Sequence, residues 1–115
     1  MADAESDLLR SSLDVLVLKA LSWGPMHGYA ISEWIESATD SLLLLGEGTL
    51  YPALHRLEGR GWISADWGVS ESNRRAKFYR LTAAGKARFR AQVPIWHRHA
   101  EAIAAALRRT SPHAV

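Results

Sequence analysis

The sequence contains no cysteine and no long hydrophobic run, and both absences exclude classes of protein. Without cysteine there is no disulfide scaffold, no zinc site with thiolate ligands and no thiol nucleophile. No segment approaches the roughly 20 apolar residues that cross a bilayer. The acidic N-terminal stretch MADAESDLLR is also unlike a secretory signal peptide. We therefore expect a cytoplasmic protein that has no membrane partner.

The chain is otherwise ordinary in size and composition for one folded domain. Its 115 residues are 48% hydrophobic and 23% charged, which is typical of a globular protein and not of a disordered one. The charge is unevenly distributed: residues 60–115 carry eleven Lys and Arg against three acids, and residues 1–59 carry three against nine. A basic second half favours a polyanionic partner, nucleic acid first, although a solvated Arg-rich surface would have the same composition.

Hydrophobic periodicity and turn residues predict four helices and a hairpin. Apolar residues recur every three or four positions in each helical segment, and Gly-containing turns mark the ends of the first and third helices. Two strand-like segments flank a polar stretch, which is typical of a hairpin with a long tip. The predicted order is helix 8–21, helix 28–39, short strand 42–45, helix 47–60, strands 62–68 and 77–82, and helix 83–109. Three helices followed by a hairpin form the winged-helix arrangement, a mainly α fold of the α+β class that binds DNA through its third helix and its hairpin, the wing.

The third predicted helix has an outer face that suits DNA. Small residues let a helix backbone approach another surface closely, and a Pro in the second turn breaks a local rule at a cost of up to about 3 kcal/mol. The hydroxyl, imidazole and guanidinium groups beside them suit phosphates and base edges. The alternative is that Gly48 and Pro52 only shape the helix and that Arg56 pairs with an acid. The outward residues are Gly48, Thr49, Tyr51, Pro52, His55 and Arg56.

The predicted hairpin and the last helix carry two further candidate surfaces. Arg74, Arg75 and Lys77 lie at or beside the hairpin tip, where cations suit phosphates or a narrow minor groove, or form a solvated loop. In the last helix, an a/d heptad pattern predicts a seam at Phe89, Val93, Trp96, Ala100, Ile103 and Leu107. If two chains pair there, Trp96 either packs against its copy or lines a slot for a flat apolar ligand. The other four Trp are interpreted as core or edge residues.

No constellation of residues indicates catalysis, a cofactor or a metal. His97 and His99 are about 200° apart on a helix and cannot chelate one ion together. No Ser/His/Asp order, phosphate-binding Gly loop or pair of acids stands out. We therefore expect a binding protein and not an enzyme, with no cofactor.

Several motifs resemble the PadR family of bacterial transcriptional regulators. These are WGPMHGYAI (23–31), GTLYPALHRLEGRGWI (48–63) and KFYRLTAAG (77–85), and the similarity spans about residues 8–110. With one helix after the wing, the chain is similar to the short subgroup of the family. The resemblance implies a homodimeric winged-helix repressor that dimerises through its last and first helices, which adds Leu9 and Leu13 to the predicted interface. It also places His27, Gly28 and Tyr29 near the DNA backbone, Tyr51 and its neighbours on DNA, and the wing cations on phosphate.

These inferences give one primary prediction and two alternatives. We expect a disordered N-terminus at 1–7, a DNA-binding domain at 8–82, a dimerisation helix at 83–110 and a frayed tail at 111–115. The partners are double-stranded DNA, at a pseudo-palindromic operator, and a second copy of the chain. In the first alternative, sensing of a small aromatic effector near Trp96 is the primary role. In the second, the basic face docks an acidic protein and DNA binding is vestigial.

Overall fold

The order of helices and strands confirms the winged-helix prediction. The structure, a computed structural model, describes the backbone of residues 4–113 and the side chains of residues 12–113. Within the described backbone, four helices pack with a small three-stranded sheet. No helix within these described residues is both long and apolar enough to cross a membrane. The elements are α1 (Ala4–Leu21), β1 (Met26–His27), α2 (Gly28–Ala38), α3 (Glu47–Gly59), β2 (Ile63–Val69), β3 (Arg75–Leu81) and α4 (Ala83–Leu107).

Two segments differ from the sequence prediction. The sequence predicts a strand at residues 42–45, but they form an extended loop in which Leu43 and Leu45 pack on the core and Leu42 and Leu44 are exposed. The alternation is strand-like, but the segment pairs with no strand of the described chain. The short strand is instead β1, whose two residues pair with the middle of β3 and give the antiparallel order β1-β3-β2.

The first helix also begins earlier than predicted. Residues 4–7, expected to be disordered, belong to α1, because no Gly or Pro precedes residue 8 to end the helix. Residues 1–3 lie outside the described part of the chain, as do residues 114 and 115 at the predicted frayed tail. At the other end, α4 stops at Leu107, two residues short of the predicted end.

One hydrophobic core joins α1, α2, α3 and the base of the sheet. Burying such side chains contributes about 1.5–3 kcal/mol each relative to exposure. The core residues, all exposed by 4% or less, are Leu13, Val17, Leu18, Ala20, Leu21, Ile31, Ile35, Leu50, Ala53, Leu54, Leu57, Ile63 and Tyr79. This core fixes α3 with its outer face to solvent.

The wing and α4 meet at a tightly packed junction. Thr82 caps α4 by accepting a hydrogen bond from the Gly85 amide at 3.0 Å. Its hydroxyl also donates to the Gly61 carbonyl at 2.6 Å, and its own amide donates to the Trp62 carbonyl at 3.1 Å. Gly85 packs so closely on Trp62 that an added Cβ would lie 1.8 Å from that carbonyl oxygen. The start of α4 is therefore held directly against Gly61 and Trp62, the two residues that precede β2.

Candidate nucleic-acid interface

The outer face of α3 is composed as the sequence indicated. Its backbone begins at Gly46, which offers no side-chain cap; the Gly46 carbonyl accepts from the amides of Thr49 and Leu50 at 3.1 and 3.0 Å. With the leucine face buried, the opposite side is free of bulky aliphatic groups. Exposed there are Gly48, Tyr51, Pro52, His55 and Arg56, and Thr49 is half-buried at the flank. This face is open to a large ligand.

Arg56 is the exception on this face. Its guanidinium donates to the Asp14 carboxylate of α1 in an ion pair. The structure thus realises the alternative interpretation, in which Arg56 pairs with an acid and ties α3 to α1. Arg56 is still 41% exposed at its side chain, but in this conformation it is not a cation free for phosphate.

The start of α2 lies against the first half of α3. His27 caps α2 by accepting the Ala30 amide hydrogen at its Nδ1 atom, at 3.1 Å, and this leaves Nε2 to carry the hydrogen of the neutral ring. Gly28 is buried beneath Tyr51: a Cβ at Gly28 would lie 2.7 Å from the Tyr51 hydroxyl. Tyr29 next to it is 68% exposed. Glycine at position 28 is what lets the Tyr51 side chain lie across the start of α2.

The wing carries four cations, the three predicted ones and Arg80 on β3. Two of them have an acidic partner among the described side chains, and two do not. Arg74 and Arg75 are exposed after the turn at Asn73, which adopts a left-handed φ of 60°. Lys77, predicted to touch phosphate, lies 3.6 Å from the Glu58 carboxylate of α3. Arg80 pairs with Asp66 across the two strands. The free positive charge of the wing is therefore concentrated at residues 74 and 75.

Glu58 also affects the buried tyrosine at the base of the wing. Burial raises the pKa of Tyr79 above its ordinary value, and the nearby charge of Glu58 and the Tyr51 side chain raise it further. Lys77, which pairs with Glu58, lies 5.5 Å from the Tyr79 ring centre. The Tyr79 phenol therefore stays neutral at physiological pH and contributes packing rather than charge.

A groove of about 530 Å³ connects the start of α2 with the wing tip. The His27 ring stacks near Tyr29 at 6.5 Å between centres and contacts Phe78 of β3 edge-on at 5.4 Å. The groove brings together four of the predicted DNA-binding residues, His27, Tyr29, Arg74 and Arg75, with Glu33 and Glu71 at its lining. Gly28, between His27 and Tyr29 in sequence, lies against Tyr51 of α3, so the start of α2 adjoins both the wing tip and α3.

The predicted dimer interface is only partly supported by burial. Leu13 is 1% exposed and belongs to the core of its own chain, so its assignment to the interface is wrong: an apolar helix position does not reveal which surface covers it. The Leu9 side chain lies outside the described residues. Phe89 packs partly on the core, and Val93 and Ala100 are half-buried. Trp96, Ile103 and Leu107 are 41%, 58% and 81% exposed and follow the heptad seam.

Trp96 also borders an apolar groove. The groove has a volume of about 430 Å³ and lies between α1, the end of α2 and α4. Its apolar walls include Leu16, Leu43, Phe89 and Val93, and its polar edge includes Lys19, Thr39 and His97. The structure thus places the predicted ligand-site residue beside a groove of suitable composition.

Two of the four tryptophans expected at core or edge positions are largely exposed. Trp23 is 65% exposed and Trp67 is 62% exposed. A cation lies over one part of each ring. The Lys19 ammonium lies 4.7 Å from the Trp23 ring centre, and the Arg75 guanidinium lies 4.6 Å from that of Trp67. The alternation of β2 places Trp67 on a side of the wing that extends beyond the core, and this signal was available in the sequence.

Comparison with known proteins identifies the family. The sequence model of the family described as "Transcriptional regulator PadR-like family" matches residues 17–91 of this chain. The chain belongs to this family. A transcriptional regulator from Clostridium thermocellum has a similar structure, with a TM-score of 0.76 and 34% identity over 87% of this chain and 97% of that one. An uncharacterised protein from Lysinibacillus sphaericus is 34% identical over 79% of this chain and 84% of its own length.

The PadR-like membership confirms the recognised resemblance and the class of function. The chain is a winged-helix, DNA-binding transcriptional regulator and not an enzyme. The fold alone is also shared with PadR of Bacillus subtilis, solved in complex with operator DNA. That structure has a TM-score of 0.61 and 22% identity over 88% of this chain and 49% of that chain.

Proposed function

We propose that this PadR-like regulator is a homodimeric, cytoplasmic repressor that binds a pseudo-palindromic operator with α3 and the wing. The observation that carries the proposal is that the start of α2 lies against Tyr51 on the exposed face of α3 and lines one groove with the wing tip. The B. subtilis PadR structure with operator DNA supports it, since that protein has the same fold.

Within this surface, each group has a role that follows from its chemistry. Arg74 and Arg75 supply phosphate contacts, which give affinity but little sequence information. Thr49, Tyr51 and His55 lie where α3 would enter the major groove and supply hydrogen bonds to base edges. Gly48 and Pro52 present little side chain and let the helix approach the bases. His27, Gly28 and Tyr29 lie beside the backbone of the same site, and Lys77 and Arg56 contribute only if DNA displaces their acidic partners.

Binding of the chain to DNA is tested by its preference for sequence. Purified protein is titrated with the DNA upstream of its own gene and with a scrambled duplex of equal length, at two salt concentrations. We expect a preference of about 10³-fold or more, with affinity falling as salt rises. Equal, weak binding to both duplexes would contradict an operator in the DNA upstream of the gene and favour the protein-docking alternative.

The wing assignment is tested by replacing one cation. Arg75→Ala is expected to weaken binding to every duplex and to lower the slope of log affinity against log salt by about 1. Arg98→Ala is the matched control, because Arg98 is an exposed cation of α4 far along the chain from the wing. An unchanged slope for Arg75→Ala would refute the wing contact.

Dimerisation through α4 is supported by the exposed apolar seam. Leaving Ile103 and Leu107 in water is unfavourable, and an antiparallel or parallel partner helix would bury both. Two paired α3 helices about 34 Å apart would then fit successive major grooves. Ile103→Glu is expected to give a monomer in sedimentation equilibrium, whereas Ala105→Glu, off the seam, stays dimeric. An Ile103→Glu protein that sediments as a dimer would exclude this seam.

A second candidate function, regulation by a small aromatic effector, is favoured by the groove beside Trp96. Planar aromatic compounds are expected to quench tryptophan fluorescence in the wild-type protein. Because the chain has five Trp, the measurement compares wild type with Trp96→Phe. Equal quenching in both proteins would exclude binding at this groove.

A further inference from the structure

The wing has one face on which apolar and basic side chains alternate between strands. The register pairs Trp67 with Lys77 and Val69 with Arg75. Because side chains alternate along a strand, these four residues share the face that carries buried Ile63 and Tyr79 at the base of the wing. Beyond the core this face is open: Trp67 is 62% exposed and Val69 is 65% exposed. A large indole is thus held in solvent next to the proposed DNA contacts.

Arg75 lies over this indole. The two residues are diagonal neighbours across β2 and β3, a separation that long and aromatic side chains can bridge. The Arg75 guanidinium carbon is 4.6 Å from the Trp67 ring centre, within the range of a cation–π contact. Stacking uses the flat face of the guanidinium and leaves the N–H groups at its edge available to acceptors.

Arg75 also differs from Lys77 and Arg80 of the same strand, which are held by acids. Among the side chains of residues 12–113, the ion pairs of this region join Lys77 to Glu58 and Arg80 to Asp66, and none involves Arg75. Arg80 lies on the opposite face of the strands, since residues alternate between faces. The indole therefore holds the Arg75 side chain in place and leaves its positive charge free, whereas an acidic partner would neutralise that charge.

We propose that Trp67 is a positioning residue for DNA binding, which holds the Arg75 guanidinium ready to donate to backbone phosphate oxygens. The inference rests on the proposed function and names a residue that acts through Arg75 rather than by its own contact with DNA. Preordering a long, flexible side chain removes part of the entropy lost on binding. An exposed cation–π contact corresponds to a factor of about two to five in an equilibrium constant.

The test is a double-mutant cycle measured on DNA binding. Because a phosphate contact does not depend on sequence, the probe is a random duplex of about 30 base pairs at about 50 mM salt, followed by fluorescence anisotropy. The variants are Trp67→Leu, Trp67→Phe, Arg75→Ala and the double variant Trp67→Leu/Arg75→Ala. Trp23→Leu is the matched control, since Trp23 is equally exposed and also covered by a cation, but lies in the turn after α1.

Trp67→Leu is expected to weaken binding about two- to fivefold in the wild-type background and to change nothing in the Arg75→Ala background. Trp67→Phe should retain most of the affinity, because it keeps an aromatic face. Trp23→Leu should bind as wild type does. Each variant is checked for an unchanged unfolding midpoint, since the replaced indoles are exposed.

Two outcomes would overturn the inference alone. If Trp67→Leu weakens binding equally with and without Arg75, Trp67 contacts DNA itself. If it has no effect in the wild-type background, the stack does not contribute to binding. A wild-type protein that does not bind the duplex at all would overturn the proposed function together with this inference, so the two failures are distinguishable.

Discussion

Replacing Gly85 by alanine gives opposite expectations from helix propensity and from packing. Gly85 lies in the first turn of α4, where Ala is about 1 kcal/mol more favourable than Gly by intrinsic propensity. The added methyl group would, however, lie 1.8 Å from the Trp62 carbonyl oxygen and 2.8 Å from its carbon. Because these are backbone atoms, no side-chain rotation relieves the overlap. The start of α4 must therefore move away from Trp62.

The size of the effect follows from what that movement breaks. Overpacking of a tight contact costs about 1–3 kcal/mol, and moving α4 away from Trp62 also lengthens the hydrogen bond from Thr82 to Trp62, worth about 1 kcal/mol. After the gain in propensity is subtracted, a net loss of about 2 kcal/mol in the free energy of unfolding is expected. With a urea slope of about 1–3 kcal/mol/M for a small domain, the unfolding midpoint falls by about 1 M.

Urea unfolding followed by circular dichroism, at one fixed protein concentration, measures this change. Gly59→Ala is the control, since Gly59 ends α3 and a methyl group added there would meet no described atom within 4 Å. It should leave the midpoint unchanged or raise it slightly. A Gly85→Ala protein as stable as the wild type, or a midpoint that moves as in Gly59→Ala, would refute the packing argument.

Substitutions at three further positions test other contacts. Thr82→Ala is expected to lower the free energy of unfolding by about 1 kcal/mol, and Thr82→Ser to restore most of it, in the same urea assay. Gly28→Ala displaces the flexible end of the Tyr51 side chain, so DNA affinity should fall with little change in the free energy of unfolding. Unchanged affinity would show that Tyr51 does not contact DNA. The raised pKa keeps Tyr79 protonated in the folded protein at a pH where the unfolded chain, with its ordinary pKa of about 10, loses the proton. The stability from this group is therefore present below about pH 10 and is lost as the pH rises from there through the raised pKa. Tyr79→Phe should remove that part of the alkaline loss, and an identical pH profile in both proteins would contradict the assigned cause.

The helices and the outer face of α3 are predictable because they depend on local pattern. The sequence predicts helices at 28–39 and 47–60, and the structure has Gly28–Ala38 and Glu47–Gly59. The strand β1 escapes prediction because a two-residue strand has no periodicity of its own and exists only by pairing with β3. The leucines at 42–45 alternate like a strand, yet find no partner among the described strands.

The state of each predicted site residue depends on partners distant in sequence. Arg56 meets Asp14 from 42 positions away, and Lys77 meets Glu58 from another element. No local pattern shows which cations a fold neutralises and which it leaves free. For the same reason, Leu13 could not be assigned to core or interface from its apolar spacing alone. The sequence predicts which residue types form the site, but it does not predict which of their charges are paired with acids.

The position of α1 has a consequence for energetics between sites. One side of this helix holds α3 through the Asp14–Arg56 ion pair, and another lines the groove beside Trp96 with Ser12, Val15, Leu16 and Lys19. If the proposed effector fills the groove and shifts α1, the affinity of α3 for DNA would change. Thermodynamic reciprocity then requires DNA to change affinity for the occupant of the groove by the same factor. An effector that loosened DNA tenfold would itself bind tenfold more weakly to protein already on its operator.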